Sequence, residues 1–248
     1  MTIQLGTFVK TCSPQVIELL GTSGLDFAVV DAEHAPFGRG EIDLMVMAGR
    51  AAGLPVLVRV PDHGASTVLN ALDVGAAGLV VPHVDTLEQA RSIVDAARFG
   101  VGHRGYSSSP RFASYGAIGR AATLIKGDEA LLLCQIESAE GVENAATIAA
   151  LDGVDGLFIG RADLSLSLGE TDIGAPRVLA ATRRIIEAGL TASKRVGMFV
   201  GSAEEAGHFA REGVNWFVVG SDQSMLRRGA RAVVDGAARA LSTERLSS

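Results

Sequence analysis

Polar residues that could do chemistry stand at the ends of four short apolar runs. Asp31-Ala32-Glu33-His34 follows one run, Arg59 ends a second, and Gln135-Ile136-Glu137 and Gly160-Arg161-Ala162-Asp163 close two more. Any one of these groups could be a structural cap. Carboxylates, an imidazole, a guanidinium and an amide at four such positions instead favour one shared site at the carboxyl ends of strands.

Glu137 and Asp163 are the predicted metal ligands. They close consecutive runs, and neighbouring strands lie about 4.8 Å apart, so the two carboxylates could bind one divalent cation. A pair of carboxylates without a nearby cysteine favours Mg²⁺ or Mn²⁺, with Co²⁺ also compatible, and leaves positions for water and a chelating substrate. The alternative is that a carboxylate pairs with an arginine such as Arg59.

His34 is the predicted proton shuttle, because imidazole titrates near neutral pH. A hydrogen-bonded structural histidine is the alternative. His83, in the run VVPHV, also ends a strand and could line the site. Arg59 emerges from an otherwise apolar strand, where an unpaired guanidinium would be costly, so it should meet a carboxylate or an oxyanion.

Gln135 and the glycine-containing group after Phe158 are predicted to contact substrate. Gln135 shares a strand face with Glu137, so its amide could bind substrate or orient a metal-bound water. Gly160 leaves room for close approach of a ligand. The peptide NH groups of Ala162 and Asp163 could hold a carboxylate.

The positions of these residues depend on eight short apolar runs that alternate with longer amphipathic segments. The predicted strands are residues 3–9, 27–31, 56–60, 78–81, 131–136, 156–159, 196–200 and 216–220. Eight βα units without a linker predict a (β/α)₈ TIM barrel of the α/β class, as a single domain over residues 1–248. A doubly wound sheet is the alternative, but residues 11–16 lack the glycine-rich turn that usually follows its first strand.

Two further segments receive predicted roles. A long loop follows strand 4, and its polar, glycine-rich residues 99–128 suit an active-site lid. Residues 225–241 are predicted to form a C-terminal amphipathic helix.

Composition excludes several classes of function. The 248 residues include 22 Lys and Arg against 28 Asp and Glu, a formal charge of −6, which argues against nucleic acid as the partner. No run approaches the roughly 18 apolar residues of a membrane span, and the first residues lack a signal-peptide pattern. Two sparse cysteines, Cys12 and Cys134, suggest a reducing compartment, so we expect a cytoplasmic protein.

Taken together, the motifs resemble the HpcH/HpaI aldolase family of metal-dependent pyruvate aldolases. The resemblance covers residues 5–226, and the joint occurrence of the motifs is more specific than any one of them. In order they are DAEHAPF from Asp31, VLVRVP through Arg59, ALDVGAAGLVVPHV from Ala71, HRGYSSSPRFASYG from His103, QIES from Gln135 and FIGRADLS from Phe158.

The resemblance implies an aldolase that makes or cleaves 4-hydroxy-2-oxo acids from pyruvate or hydroxypyruvate and an aldehyde. A cation chelated by the 2-oxo acid stabilises the enolate and needs no Schiff-base lysine. A Schiff base on Lys10 would leave Glu137 and Asp163 unexplained. Two other classes stay open: a related lyase on the same enolate, such as an oxaloacetate decarboxylase or a citrate-lyase-like acyl-CoA lyase, and a non-catalytic barrel that binds 2-oxo acids.

The resemblance also implies roles for individual residues. The matches to Glu137 and Asp163 bind the cation, and the match to His34 is the base, acting through a metal-bound water and oriented by the match to Asp73. The remaining roles concern substrate: Arg59 and Gln135 contact the oxo acid, and the amides of Ala162 and Asp163 hold its carboxylate.

The resemblance also implies a quaternary structure, and this sequence departs from the family's usual pattern at two places. The family implies a homohexamer, a trimer of dimers that exchange C-terminal helices. Arg161 stands where the family usually has proline, and Phe99-Gly100 stands where a Tyr-Pro-Pro turn is frequent. These departures leave the metal pair intact and bear on substrate choice and the shape of the predicted lid.

Overall fold

Eight parallel strands close into a barrel in the computed structural model, which describes residues 2–245. The strands are β1 (Gln4–Val9), β2 (Phe27–Asp31), β3 (Val56–Arg59), β4 (Gly78–Val81), β5 (Leu131–Ile136), β6 (Gly156–Ile159), β7 (Arg195–Val200) and β8 (Trp216–Ser221). Each pairs with the next, and β8 pairs with β1. Continuous apolar runs suit these strands because both faces of a barrel strand are buried. The predicted (β/α)₈ barrel is therefore confirmed.

Helices surround the barrel between the strands. They are α1 (Pro14–Gly21), α2 (Arg39–Ala52), α3 (Ala65–Asp73), α4 (Leu87–Ala97), α5 (Arg120–Asp128), α6 (Ala139–Ala149), α7 (Arg161–Ser167), α8 (Pro176–Thr191), α9 (Ala203–Ala210) and α10 (Asp222–Arg245). Side-chain oxygens of Thr86, Ser138 and Ser202 cap the first turns of α4, α6 and α9. These caps fix where each helix begins after its strand.

Aromatic side chains fill the barrel interior near the start of the strands. The rings of Phe27 and Trp216 stack with centroids 3.8 Å apart, and Phe158 meets Trp216 edge-on at 6.1 Å. Gly6 lies against the same cluster, and a Cβ atom there would fall 2.2 Å from the Phe27 ring. The interior is thus packed at one end, which leaves the carboxyl ends of the strands for a site.

The long segment after the fourth strand does not act as a lid over this chain's own strand ends. It leaves α4 rather than β4, so it lies where helices lead back into strands, and it contains α5. Its Arg104 guanidinium packs over the rings of Phe99 and Phe112, 4.8 and 4.2 Å from their centroids. The lid prediction is therefore wrong within one chain, because the connection that leaves β4 itself is short and carries the chain directly into α4.

The C-terminal helix α10 extends beyond the predicted 225–241. Its first residue, Asp222, accepts hydrogen bonds at 2.9 Å from the backbone NH groups of Lys10 and Thr11, which ties the helix to the end of β1. Leu226 and Val233 are 75% and 71% exposed on its surface.

None of the helices within residues 2–245 combines the length and apolarity needed to span a bilayer.

Candidate active site

A cavity of about 480 Å³ opens at the carboxyl ends of the strands. Its walls come from several strand ends, from the start of α7 and from α9. None of its lining residues comes from 99–128. It brings together six of the predicted site residues, namely His34, Arg59, Gln135, Gly160, Ala162 and Asp163.

Glu137 lies beneath this cavity as a buried carboxylate. Its Oε1 atom accepts a 2.8 Å hydrogen bond from the backbone NH of His83, and its Oε2 atom accepts one from Nε2 of Gln135. Burial raises the pKa of Glu137, although both hydrogen bonds oppose that rise. Because burial disfavours the charged form of Glu137, a cation bound nearby would stabilise that form.

The Glu137 carboxylate belongs to a three-residue cluster with Glu33 and His83. The His83 ring stands between two acids, with Nδ1 3.0 Å from Glu137 Oε1 and Nε2 3.3 Å from Glu33 Oε1. One ligand atom from each of the three residues lies within 4.8 Å of the others. Glu33 has no role predicted from the sequence, and His83 is predicted only to line the site, although both residues follow strand ends.

The donor set suits a divalent cation. Carboxylate oxygens and an imidazole nitrogen are ligands for Mg²⁺, Mn²⁺ and Co²⁺. Gln135 Oε1 is buried and has no hydrogen-bond partner among residues 2–245, so it could accept from a metal-bound water. Asp163 lies in the first turn of α7 with its side chain exposed on the cavity wall.

Arg59 lies against two carboxylates. Its Nε and Nη2 atoms bond the two oxygens of the fully buried Asp31 at 2.9 and 2.8 Å, and Nη1 lies 3.1 Å from Glu33. Lys10 pairs with Asp31 at 2.8 Å. Burial works to raise the pKa of Asp31, but the hydrogen bonds and charges of Arg59 and Lys10 hold it below its usual value. The network also engages Lys10, the candidate for a Schiff base.

His34 projects into the cavity from the end of β2. Its backbone NH donates to Asp31 at 3.2 Å, and its half-exposed ring places Nε2 3.7 Å from Glu33. A ring held at one side and open at the other can exchange protons with a ligand in the cavity.

Asp73 does not reach His34 within residues 2–245 of one chain. It is the last residue of α3 and pairs with Nη2 of Arg104 at 3.2 Å. Because α3 runs from the end of β3 back toward the start of β4, its last turn points away from the strand ends. Within one chain Asp73 therefore pairs with Arg104, and its role in orienting His34 stays a prediction.

Gly160 allows the strand end to approach Glu137 closely. A Cβ atom at position 160 would fall 2.5 Å from Oε2 and 2.8 Å from Cβ of Glu137, so a side chain would displace the carboxylate. Gly160 also caps α7, in which Ala162 and Asp163 occupy the first turn. Backbone NH groups of a first helical turn have no partner within the helix and can donate hydrogen bonds to an anion.

Arg161, at the position where the resemblance leads us to expect proline, ties the start of α7 to α9. Its guanidinium pairs with Glu205 and lies 4.8 Å from the ring centroid of Phe209. Glu205 in turn accepts a 2.7 Å hydrogen bond from the backbone of Gly201. The substitution therefore braces the segment that carries Ala162 and Asp163.

The sequence of this chain is similar to those of known enzymes. The sequence model of the HpcH/HpaI aldolase/citrate lyase family matches residues 4–229. A hydroxypyruvate/pyruvate aldolase from Deinococcus radiodurans is 36% identical over 93% of this chain and 84% of its own length. A 5-keto-4-deoxy-D-glucarate aldolase from Klebsiella pneumoniae is 32% identical over 94% of this chain and 91% of its own.

A solved structure shows the same architecture. An HpcH/HpaI aldolase/citrate lyase family protein from Burkholderia cenocepacia superposes with a TM-score of 0.90 at 33% identity, covering 95% of both chains. The shared barrel, the match over nearly the whole chain and the identity above 30% lead to one conclusion. The chain belongs to the HpcH/HpaI aldolase/citrate lyase family.

Proposed function

We propose that this protein is a class II aldolase that makes or cleaves 4-hydroxy-2-oxo acids from pyruvate or hydroxypyruvate and an aldehyde. The observation that carries the proposal is the buried Glu137 carboxylate beneath an open cavity that also holds His34 and Arg59. The family includes metal-dependent aldolases, and two relatives at 36% and 32% identity are named as aldolases of 2-oxo acids.

Glu137 and Asp163 hold a divalent cation, Mg²⁺, Mn²⁺ or Co²⁺, in this proposal. A cation bound there supplies Lewis-acid stabilisation for the charge that develops on the carbonyl oxygen of the 2-oxo acid. Gln135 orients the bound donor through its amide. The NH groups of Ala162 and Asp163 hold the donor carboxylate, and Gly160 keeps the space between them and Glu137 open.

His34 and Arg59 perform the remaining steps. His34 removes a proton from C3 of the donor during addition and returns it during cleavage. Arg59 faces the developing oxyanion from a position fixed by Asp31, so little reorganisation is needed when charge forms. Asp73 can orient His34 in this scheme only through a contact between two chains, because the two residues do not meet within one chain.

Metal removal tests the proposal directly. Treatment with a chelator is expected to abolish retro-aldol turnover of 4-hydroxy-2-oxo acids, and added Mg²⁺, Mn²⁺ or Co²⁺ should restore it. The measurement is pyruvate release, with metal content checked by elemental analysis. Full activity in metal-free enzyme would exclude the mechanism. Decarboxylation of oxaloacetate without aldehyde-dependent carbon–carbon bond formation would favour the related lyase.

Replacement of His34 by alanine is expected to slow exchange of the C3 protons of pyruvate with D₂O by about 10²-fold. Positioned acid–base groups typically contribute 10²–10⁴-fold. The lower end is expected because the ring is half exposed, so solvent can partly replace it. NMR measures the exchange rate directly.

A matched histidine controls for folding and surface effects. His208 on α9 is also half exposed and pairs with a glutamate, Glu212. The His208→Ala enzyme should catalyse exchange of the C3 protons of pyruvate at the wild-type rate. An unchanged rate in folded, metal-loaded His34→Ala enzyme would return His34 to a structural role.

We also propose that the protein is a homo-oligomer, with the family's hexamer as the expected form. The support is α10, whose Leu226, Val233 and Val234 stand exposed on one 24-residue helix. Exposed apolar side chains grouped on one element are typical of an interface. A second copy of this chain is the occupant that the family assembly implies.

A further inference from the structure

The cavity at the strand ends is larger than the part that the donor uses in the proposed function. The groups assigned to the donor lie on β3, β5 and the start of α7. Another wall is formed by Lys10 after β1, by Ser221 at the end of β8 and by Gln223 at the start of α10. We call these three residues the β1–β8 wall, and the proposed function gives none of them a role.

The second substrate must occupy the same cavity as the donor. Aldol addition joins C3 of the donor to the aldehyde carbon, and the proton lost from C3 is balanced by the one that the new hydroxyl gains. The two carbons therefore have to meet beside the bound donor, and the rest of the aldehyde extends into space that the donor leaves free. The β1–β8 wall borders that space.

One buried carboxylate holds the β1–β8 wall together. Asp222 stands between Ser221 and Gln223 in the chain and accepts hydrogen bonds at 2.9 Å from the backbone NH groups of Lys10 and Thr11. The end of β1 is thereby fixed beside the start of α10. The side chains of the wall are thus positioned by backbone contacts and not by one another.

The β1–β8 wall presents hydrogen-bond donors to the cavity. Nζ of Lys10 bonds the fully buried Asp31 at 2.8 Å, but its side chain is 26% exposed, so the cavity meets the ammonium and not the carboxylate. An ammonium group has more N–H donors than this bond uses. The Ser221 hydroxyl accepts from the backbone NH of Ser224 at 3.2 Å, which leaves its own hydrogen to donate. Gln223 is exposed, and its amide has no partner within residues 2–245.

We propose that the β1–β8 wall binds an acidic group on the acceptor aldehyde, with Lys10 as the residue that selects acidic over neutral aldehydes. An ammonium, a hydroxyl and an amide can each donate to a carboxylate or phosphate oxygen, and the bond from the ammonium is charge-assisted. The inference rests on the proposed function and deepens it by naming the class of acceptor. The product would be a 4-hydroxy-2-oxo acid with a second acidic group.

The position of Lys10 also favours a short aldehyde. Lys10 and Arg59 bond the same oxygen of Asp31, each at 2.8 Å. Arg59 faces the developing oxyanion in the proposed function. An acidic group bound at Lys10 therefore lies close to the reacting atoms.

The competing explanation is that Lys10 only neutralises Asp31. Its loss would then disturb Arg59 through their shared carboxylate and slow addition to every aldehyde by the same factor. The ratio of kcat/KM for an acidic aldehyde to kcat/KM for its neutral counterpart separates the two explanations, because a disturbed Arg59 leaves that ratio unchanged.

The experiment measures this ratio for aldol addition of pyruvate by the metal-loaded enzyme. Succinic semialdehyde is compared with butanal, which has the same chain without the carboxylate, and glyceraldehyde 3-phosphate is compared with glyceraldehyde. Lys10→Met is the test variant, because methionine retains an unbranched apolar chain without the charge. Lys126→Met is the matched control, since Lys126 lies on α5 outside the cavity and its Nζ donates to Ser114 at 3.0 Å.

The wild-type enzyme is expected to prefer the acidic member of at least one pair, and the pair that shows it distinguishes a carboxylate from a phosphate. Lys10→Met should lower that ratio by about 10–100-fold, as loss of one hydrogen bond to a charged group does, and Lys126→Met should not change it. Gln223→Ala should lower the ratio by about 3–10-fold. Because Gln223 is exposed, this second variant tests the inference even if Lys10→Met fails to fold.

Two results would overturn the inference while leaving the aldolase function intact. One is a wild-type enzyme that adds pyruvate to neutral aldehydes as readily as to acidic ones. The other is equal loss of activity toward both members of a pair in Lys10→Met, or an unchanged ratio in Gln223→Ala where Lys10→Met does not fold. Absence of aldol product from all of the aldehydes, with metal bound, would reject the proposed function together with the inference.

Discussion

Replacing Glu137 by glutamine is expected to abolish tight divalent-cation binding and to lower kcat/KM for the aldol reaction by about 10³–10⁴-fold. The side chain is 1% exposed and is the most deeply buried carboxylate of the Glu33, His83 and Glu137 cluster. Lewis-acid stabilisation of an oxyanion contributes several kcal/mol, and each 1.36 kcal/mol corresponds to tenfold in rate. Calorimetric metal titration and steady-state kinetics measure the two losses.

The Glu137→Gln variant, with a neutral side chain at this position, should fold as well as the wild-type protein does. Burial raises the pKa of Glu137, which means that the charged form is disfavoured by its surroundings. A wild-type or higher Tm in Glu137→Gln would therefore attribute the lost activity to the site. Glu143→Gln, on the exposed face of α6, is the matched control and should bind metal normally. Wild-type metal affinity in Glu137→Gln would remove Glu137 from the ligand set.

The barrel was predictable because its strands carry an unambiguous signal. A strand buried on both faces appears as a continuous apolar run, and the predicted strand ends differ from the observed ones by no more than one residue. The lid was misplaced because length and polarity indicate a functional loop without indicating which end of the barrel it occupies. The amphipathic segment between the fourth strand and residue 99 indicates the correct end, since a segment that follows α4 begins at the amino ends of the strands.

Convergence of the site was also predictable, but its internal contacts were not. Polar residues at strand ends meet on one rim in any closed parallel barrel. The approach of His83 to Glu137 depends on a positive φ, which the sequence VVPHV does not reveal. The pairing of Asp73 with Arg104 likewise depends on how the segment after α4 folds back. Such contacts are set by tertiary structure rather than by local pattern.

Replacing Arg59 by lysine is expected to lower kcat by about 10³-fold, with kcat/KM falling in parallel. The guanidinium uses Nε and Nη2 to grip Asp31 and directs Nη1 to Glu33, which one ammonium group cannot reproduce. Removal of a single preorganised donor to an oxyanion typically costs 10²–10³-fold. The upper value is expected because the fully buried Asp31 also loses its bidentate partner. Steady-state kinetics with several donor concentrations separates kcat from KM.

A second bidentate arginine provides the control for Arg59→Lys. Arg184 grips Glu143 through Nη1 and Nη2 at 2.7 and 2.8 Å, but on the solvent-exposed surface. Arg184→Lys should leave both kinetic constants unchanged, because exposed pairs contribute little. A normal kcat with only a raised KM in Arg59→Lys would mean that Arg59 binds ground state and transition state equally. The oxyanion would then be stabilised without Arg59, whose role would be confined to holding the bound oxo acid.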